Sequence, residues 1–256
     1  MPETLVHFDS DPPLARLTLD SPHNRNALSA ALVTQLRDGL RRATEDSAVR
    51  AIVLGHTGGT FCAGADLSEA TGGDPHAAAI GRAVDLAELL RAIVACPIPV
   101  IAAVDGHVRA GGMGLVGACD IAIAGPRSTF ALTEARIGVA PAIISLTLLP
   151  KLAPRAAARY YLTGETFGPE RAVEIGLVTT AAEDVAGAVA AVTTDLAKGS
   201  PQGLAASKAL TTAAVLAGFD RDAQRLAEES ARLFVSEEAR EGMLAFLEKR
   251  PPRWVR

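Results

Sequence analysis

The chain has 256 residues, of which 49% are apolar and 21% charged, with a formal net charge of −4. This composition supports a large buried core, excludes disorder on compositional grounds, and argues against nucleic acid as the main partner. The longest apolar runs, Ala92–Val104 and Ile137–Pro150, are broken by prolines and fall short of the roughly 20 residues a membrane span needs.

Leu5–Phe8 and Leu14–Leu19 read as strands, with a hairpin turn at Asp9–Pro13 between them. Ser21–Asn26 reads as a loop, and Ser29 as the N-cap of a helix to about Thr44, with Leu32, Val33, Leu36 and Leu40 on one face. Arg50–Leu54 has the unbroken apolar character of a buried parallel strand. A loop at Thr71–Pro75 precedes a helix over His76–Ala95, which Pro97 and Pro99 end before the next buried strand, Val100–Val104. Gly112–Cys119 suits a short helix, and Asp120–Ala124 and Thr129–Ala131 suit strands. Helices follow at Pro141–Leu149, Pro154–Leu162, Glu170–Ile175, Val185–Lys198, Pro201–Leu216, Arg221–Val235 and Glu238–Lys249. Strand–helix alternation up to about residue 180 predicts a layered α/β core spanning 1–199, followed by a helical region over 200–256.

Met1–Thr4 lacks a basic region followed by an apolar stretch, so a cytoplasmic protein is expected. Cys62, Cys96 and Cys119 lack metal-ligand spacing and read as reduced thiols. No metal or redox cofactor is implied.

Two segments carry the chemistry. Phe61-Cys62-Ala63-Gly64-Ala65-Asp66 and Asp105-Gly106-His107-Val108-Arg109-Ala110-Gly111-Gly112-Met113-Gly114 each follow a buried strand and form small-residue turns. Their backbone N–H groups are not covered by large side chains. Two such turns converging from neighbouring strands can hold a developing oxyanion between peptide donors, although small residues also simply allow tight strand–helix packing. Phe130-Ala131-Leu132-Thr133-Glu134 then supplies a carboxylate, which the sequence alone would equally allow to pair with Arg136. His107 is a candidate base or an orienting group, Arg109 a partner for an acid or for a ligand, and Asp66 a cap for a following short helix. Cys62 lacks an ordered base partner and reads as a structural thiol.

Gly112-Met113-Gly114-Leu115-Val116-Gly117 also matches the G-x-G-x-x-G dinucleotide fingerprint. That motif requires its first glycine directly after a strand, and Asp105–Gly111 intervene here. The nicotinamide reading is set aside.

Together, Phe61–Asp66, Pro99–Asp105 with its glycine turn, and Phe130–Gly138 resemble the signature of the enoyl-CoA hydratase/isomerase (crotonase) superfamily. Ser21–Leu28 is similar to its early CoA-contacting loop, Leu162–Glu165 with Ala172–Val178 to its helical corner, and Arg240–Arg250 to its closing helix. The resemblance spans nearly the whole chain. It implies a crotonase-like layered ββα core with a C-terminal helical trimerisation region, and a homotrimer or homohexamer. It also implies an acyl-CoA substrate whose thioester oxygen sits between the N–H groups of Ala65 and Gly111, with Glu134 moving a proton at the adjacent carbon. Arg25, Ala27, Ala63, Asp66, Phe246 and Lys249 are then the implied CoA-binding residues.

The second glutamate of the superfamily falls on Gly114, which cannot accept a proton. That departure puts simple two-glutamate hydration in doubt and by itself favours Δ3-Δ2-enoyl-CoA isomerisation by Glu134 alone. Because hydratases dominate the superfamily, the resemblance makes hydration of a 2-enoyl-CoA the leading expectation, with that isomerisation and a catalytically weak acyl-CoA-binding relative as alternatives. The bulky run Pro141–Ser145 is expected to narrow the acyl pocket.

Overall fold

The computed structural model describes residues 3–66 and 74–255. Thr71–Gly73 of the expected loop, and any helix capped by Asp66, lie outside the described residues.

β1 (Val6–Asp11) and β2 (Leu14–Leu19) form an antiparallel hairpin that turns on Pro12 and Pro13. β2 then pairs in parallel with β3 (Ala51–His56), which begins a run through β5 (Val100–Val104), β7 (Ile121–Ala124) and β9 (Thr180–Ala181). The resulting six-stranded sheet has the order β1-β2-β3-β5-β7-β9. Its central strands are apolar because both faces are covered. Ile52 and Leu54 of β3 join the main core, while Ala51 and Val53 point the other way. There they pack with Ile101, Ile123 and Val189 of helix α7 (Val185–Leu196).

A second sheet was not legible as such. β4 (Thr60–Cys62), β6 (His107–Arg109) and β8 (Thr129–Ala131) pair in parallel in the order β4-β6-β8. Phe61–Cys62 and His107–Arg109, expected to be turn, are therefore strand. Each is a three-residue segment set among small residues that read as turn. β3–β4, β5–β6 and β7–β8 are successive pairs, so each long strand continues around a corner into the small sheet. This is the ββα layering of the core, and it brings three strand ends to one place.

α1 (Ala30–Glu45) starts where Ser29 Oγ accepts from Leu32 N–H at 3.2 Å, and buries Leu32, Val33, Leu36 and Leu40. α2 (Pro75–Ala95) follows β4, and α3 (Gly111–Ala118) follows β6. The expected helix at Pro141–Leu149 shrinks to α4 (Ser145–Leu148), preceded by turns in which Ser145 Oγ donates to Pro141 O at 2.7 Å. α5 (Pro154–Thr163) and α6 (Pro169–Glu174) complete the helical corner.

The two helices expected at Pro201–Leu216 and Arg221–Val235 are one helix, α8 (Pro201–Phe234). Gly218, between the two expected helices, lies on an open face while its neighbour Phe219 is buried in the core. An interior glycine costs about 1 kcal/mol, less than burying a phenylalanine gains. Lys208 Nζ reaches from α8 to the carbonyls of Ile93 and Ile98, and to Asp120 Oδ2 at 2.7 Å. α9 (Glu237–Leu247) packs Gly242 against Ile137. Among the described residues no helix is long and apolar enough to cross a membrane, and no cluster of side chains could hold a metal ion.

Candidate active site

The first turn leaves β4 through Gly64, whose φ of +97° is a conformation that favours glycine. Leu28 N–H donates to Gly64 O at 2.7 Å, and Asp66 N–H donates to Leu28 O at 3.4 Å. This parallel bridge uses the groups on either side of Ala65, so the N–H of Ala65 faces away from Leu28. The second turn passes through Ala110, with φ +46°, into Gly111, the first residue of α3. An N–H in a first helical turn has no acceptor within its helix.

The two turns touch. A Cβ built on Gly64 would lie 2.8 Å from Ala110 Cβ and 3.6 Å from Gly111 N. Among the described residues, neither the Ala65 nor the Gly111 N–H donates to a protein acceptor. Both residues line one pocket together with Glu134.

Glu134 follows β8 and opens a 3-10 helix, Glu134–Ile137, which Gly138 ends. The residue is 8% exposed, and its Oε2 has no hydrogen-bond partner among the described residues. Burial pushes its pKa from 4.5 up to about 7, opposed only by a hydrogen bond from its own backbone N–H. A carboxyl poised near neutrality can both take and return a proton. The alternative pairing with Arg136 does not occur, because Arg136 Nε donates to Thr163 O at 2.9 Å instead.

Gly114 is a packing position. A Cβ there would meet Ile144 Cγ2 at 2.5 Å and Leu90 Cδ1 at 3.2 Å. Ile144 occupies the space a longer side chain would need, and with Pro141, Ala142 and Ile143 it lines the pocket beside Glu134. Gly114→Glu is therefore expected to lower stability by at least about 1–3 kcal/mol from overpacking alone. Adding Ile144→Gly should recover much of that loss. Urea unfolding of the single and double variants checks this, and an undisturbed Gly114→Glu protein would refute it.

The structure gathers most of the implied CoA-binding residues. Arg25 is exposed, while its carbonyl accepts from Ala63 N–H at 3.2 Å. Ala27 is buried beside it, and Asp66 Oδ2 accepts from Asn24 Nδ2 at 2.9 Å. Phe246, 61% exposed on α9, and Lys249 just beyond it are not joined to this loop by any hydrogen bond or ion pair among the described residues.

The remaining candidates make contacts within the fold. His107 is exposed on β6, with Nδ1 2.7 Å from Thr129 Oγ1, and it does not line the pocket. Arg109 pairs with no acid among the described residues; it donates to the carbonyls of Val108 and Thr129 and to Thr129 Oγ1. Cys62 is fully buried, and desolvation holds its thiol up to about 12, which rules out a ready thiolate.

Three contributors were missed. Asn26, at φ +56°, anchors the early loop by donating to Thr60 O at 2.8 Å and accepting from Ser21 N–H at 2.6 Å. Asn24 ties that loop to Asp66. Arg82 lines the pocket from α2, and its signal was present as a cation on the apolar stripe Ala79, Ala83, Leu86.

Comparison with known proteins places the chain in a family. The model of the Enoyl-CoA hydratase/isomerase family matches residues 11–256. A protein of Rhodobacter capsulatus named "Probable enoyl-CoA hydratase" is 35% identical over 98% of this chain and 97% of its own length. A Bacillus subtilis protein of the same name is 32% identical over 94% of this chain and 95% of its own. The crystal structure of an enoyl-CoA hydratase from Mycobacterium avium superposes with a TM-score of 0.93 at 69% identity, covering 99% of this chain and all of that one.

Proposed function

The chain belongs to the enoyl-CoA hydratase/isomerase family, and from that premise we propose that it hydrates a 2-enoyl-CoA to a 3-hydroxyacyl-CoA. The observation that carries this reading is the buried carboxyl of Glu134, whose Oε2 has no partner among the described residues, in the same pocket as the N–H groups of Ala65 and Gly111.

In the proposed reaction the thioester oxygen accepts from both N–H groups. Glu134, ionised, takes a proton from water as the water oxygen bonds to carbon 3. Electrons of the carbon 2–carbon 3 double bond move onto the thioester oxygen, giving an enolate. Two preorganised donors stabilise that charge by several kcal/mol, with the loss of one costing about 10²–10³ in rate. Glu134 then returns the proton to carbon 2. Atoms and charge balance with no metal or redox cofactor, and CoA enters as part of the substrate. Arg25, Ala27, Ala63 and Asp66 form the proposed CoA contact, with Phe246 and Lys249 as further contacts.

A second reading is Δ3-Δ2-enoyl-CoA isomerisation, favoured by Ile144 filling the place of a second carboxylate. One carboxyl suffices to move a proton between carbons 2 and 4. Incubation with crotonyl-CoA and with a 3-enoyl-CoA separates the readings. Hydration of the first, seen as loss of conjugation, supports the proposal. Turnover of the second alone overturns it in favour of the isomerase, and binding without turnover points to a CoA-ester-binding relative.

We also propose a cytoplasmic homotrimer or homohexamer assembled through the C-terminal helices, supported by the exposed apolar side chains Leu210, Leu244, Phe246 and Leu247. Light scattering giving a monomer mass would refute it.

A further inference from the structure

The pocket around Glu134 is walled by apolar side chains from α2 and α8 and the turn before α4, among them Ala83, Leu86, Ile143 and Phe234. Arg82 and Ser230 interrupt that wall, and Arg82 is the one cation lining the pocket among the described residues.

Three observations make Arg82 unusual. It stands on the inward stripe of α2, at the helical spacing that Ala79, Ala83 and Leu86 share, and is half-buried. Its guanidinium makes no ion pair or hydrogen bond among the described residues, unlike Arg91 one face away, which pairs with Asp220 at 2.9 Å. Asp85, three residues on, lies within helical pairing reach yet is exposed and does not engage it. Nor does Arg82 serve Glu134, whose carboxyl is influenced by burial and by its own backbone N–H alone. A guanidinium that lines an apolar pocket with no protein acid engaging it is open to an anion brought by the ligand. Guanidinium geometry suits a carboxylate held by two hydrogen bonds.

We propose that Arg82, with Ser230 beside the same pocket, recognises a carboxylate at the far end of the acyl chain. The preferred substrate is then the CoA thioester of an unsaturated dicarboxylic acid rather than of a plain fatty acid. This rests on the hydration site proposed above, since it is the thioester clamp at Ala65 and Gly111 that directs the acyl tail along this wall. Arg82 acts on substrate choice and binding, and the proton transfers stay with Glu134.

The test compares glutaconyl-CoA with 2-pentenoyl-CoA, which have equal carbon counts and differ in the terminal carboxylate. Charge-assisted hydrogen bonds of this kind give roughly 10–100-fold discrimination. Wild type should therefore favour glutaconyl-CoA in kcat/KM by about that factor. In Arg82→Leu and Arg82→Gln, both checked for folding by thermal unfolding, kcat/KM should fall at least about ten times further for glutaconyl-CoA than for 2-pentenoyl-CoA, mainly through KM. Arg82→Lys should restore part of the preference. Calorimetry with the unreactive esters glutaryl-CoA and pentanoyl-CoA provides a readout independent of turnover. If neither enoyl ester is hydrated but glutaryl-CoA still binds more tightly in an Arg82-dependent way, the hydratase reading fails and this one stands. Equal handling of the two esters by wild type overturns the proposal. So does an equal loss on both in the variants, which would assign Arg82 to a CoA phosphate or to the fold.

Discussion

Replacing Glu134 with glutamine is expected to lower kcat for hydration about 10³-fold, within the range that general acid–base groups contribute, and at the same time to stabilise the protein at alkaline pH. Both effects come from one fact. The carboxyl is buried without a partner for Oε2, and burial holds its pKa near 7 against an ordinary 4.5. The unfolded glutamate therefore loses its proton near pH 4.5, whereas the folded one keeps it to about pH 7. The stability linked to the neutral form is complete below 4.5 and is lost as pH rises through 7, beyond which the fold carries a buried charge. Each pH unit of separation is worth about 1.4 kcal/mol, so glutamine should gain up to about 3 kcal/mol at pH 8 and almost nothing at pH 4. Urea unfolding at both pH values, beside steady-state kinetics, checks the pair. Wild-type turnover in the variant, or a stability gain independent of pH, would contradict it. In the wild-type enzyme kcat/KM should rise with pH through an apparent pKa near 7, because the ionised carboxylate is the form that activates water.

The second large effect lies far from the pocket. Lys208→Met is expected to destabilise the fold by about 3–5 kcal/mol, the usual result of removing one partner from a buried ion pair. The Lys208 side chain is 5% exposed and its partner Asp120 17%. Asp120 Oδ2 also accepts from the Val100 N–H at the start of β5. Lys208 thus ties α8 to the end of α2 and to the edge at which β5 and β7 begin. Methionine fills the volume but strands the Asp120 charge and two carbonyls. Adding Asp120→Asn removes that charge and should recover part of the loss. A cost below about 1 kcal/mol for Lys208→Met would show that the pair is solvated rather than buried.

The two glycine turns were legible because each follows an unbroken apolar run, and such runs are what a doubly covered parallel strand requires. The Ser29 cap and the α1 face were legible for a similarly local reason, since cap and stripe lie within one short window. What the sequence hid is mostly non-local. β4 exists because it pairs with β6, and β6 because it also pairs with β8, while the small residues around both read as turn. The continuity of α8 across Gly218 is decided by where Phe219 lands in the core. The meaning of Gly114 depends on Ile144, thirty residues on, whose side chain fills the space above it. Asn24 and Asp66 likewise meet only through the bridge between Leu28 and Ala65. Arg82 is different. A cation on an apolar helical stripe is visible in the residue pattern of α2 itself, and only its lack of a partner depends on the fold.

Hydration of crotonyl-CoA in D2O, followed by NMR, tests the central claim most directly. A clamp at Ala65 and Gly111 with Glu134 as the single proton carrier predicts 3-hydroxybutyryl-CoA bearing one deuterium at carbon 2. It also predicts that Glu134→Gln forms this product about 10³-fold more slowly. Product formed by Glu134→Gln at the wild-type rate, or no hydration of crotonyl-CoA by the wild-type protein, would contradict the account.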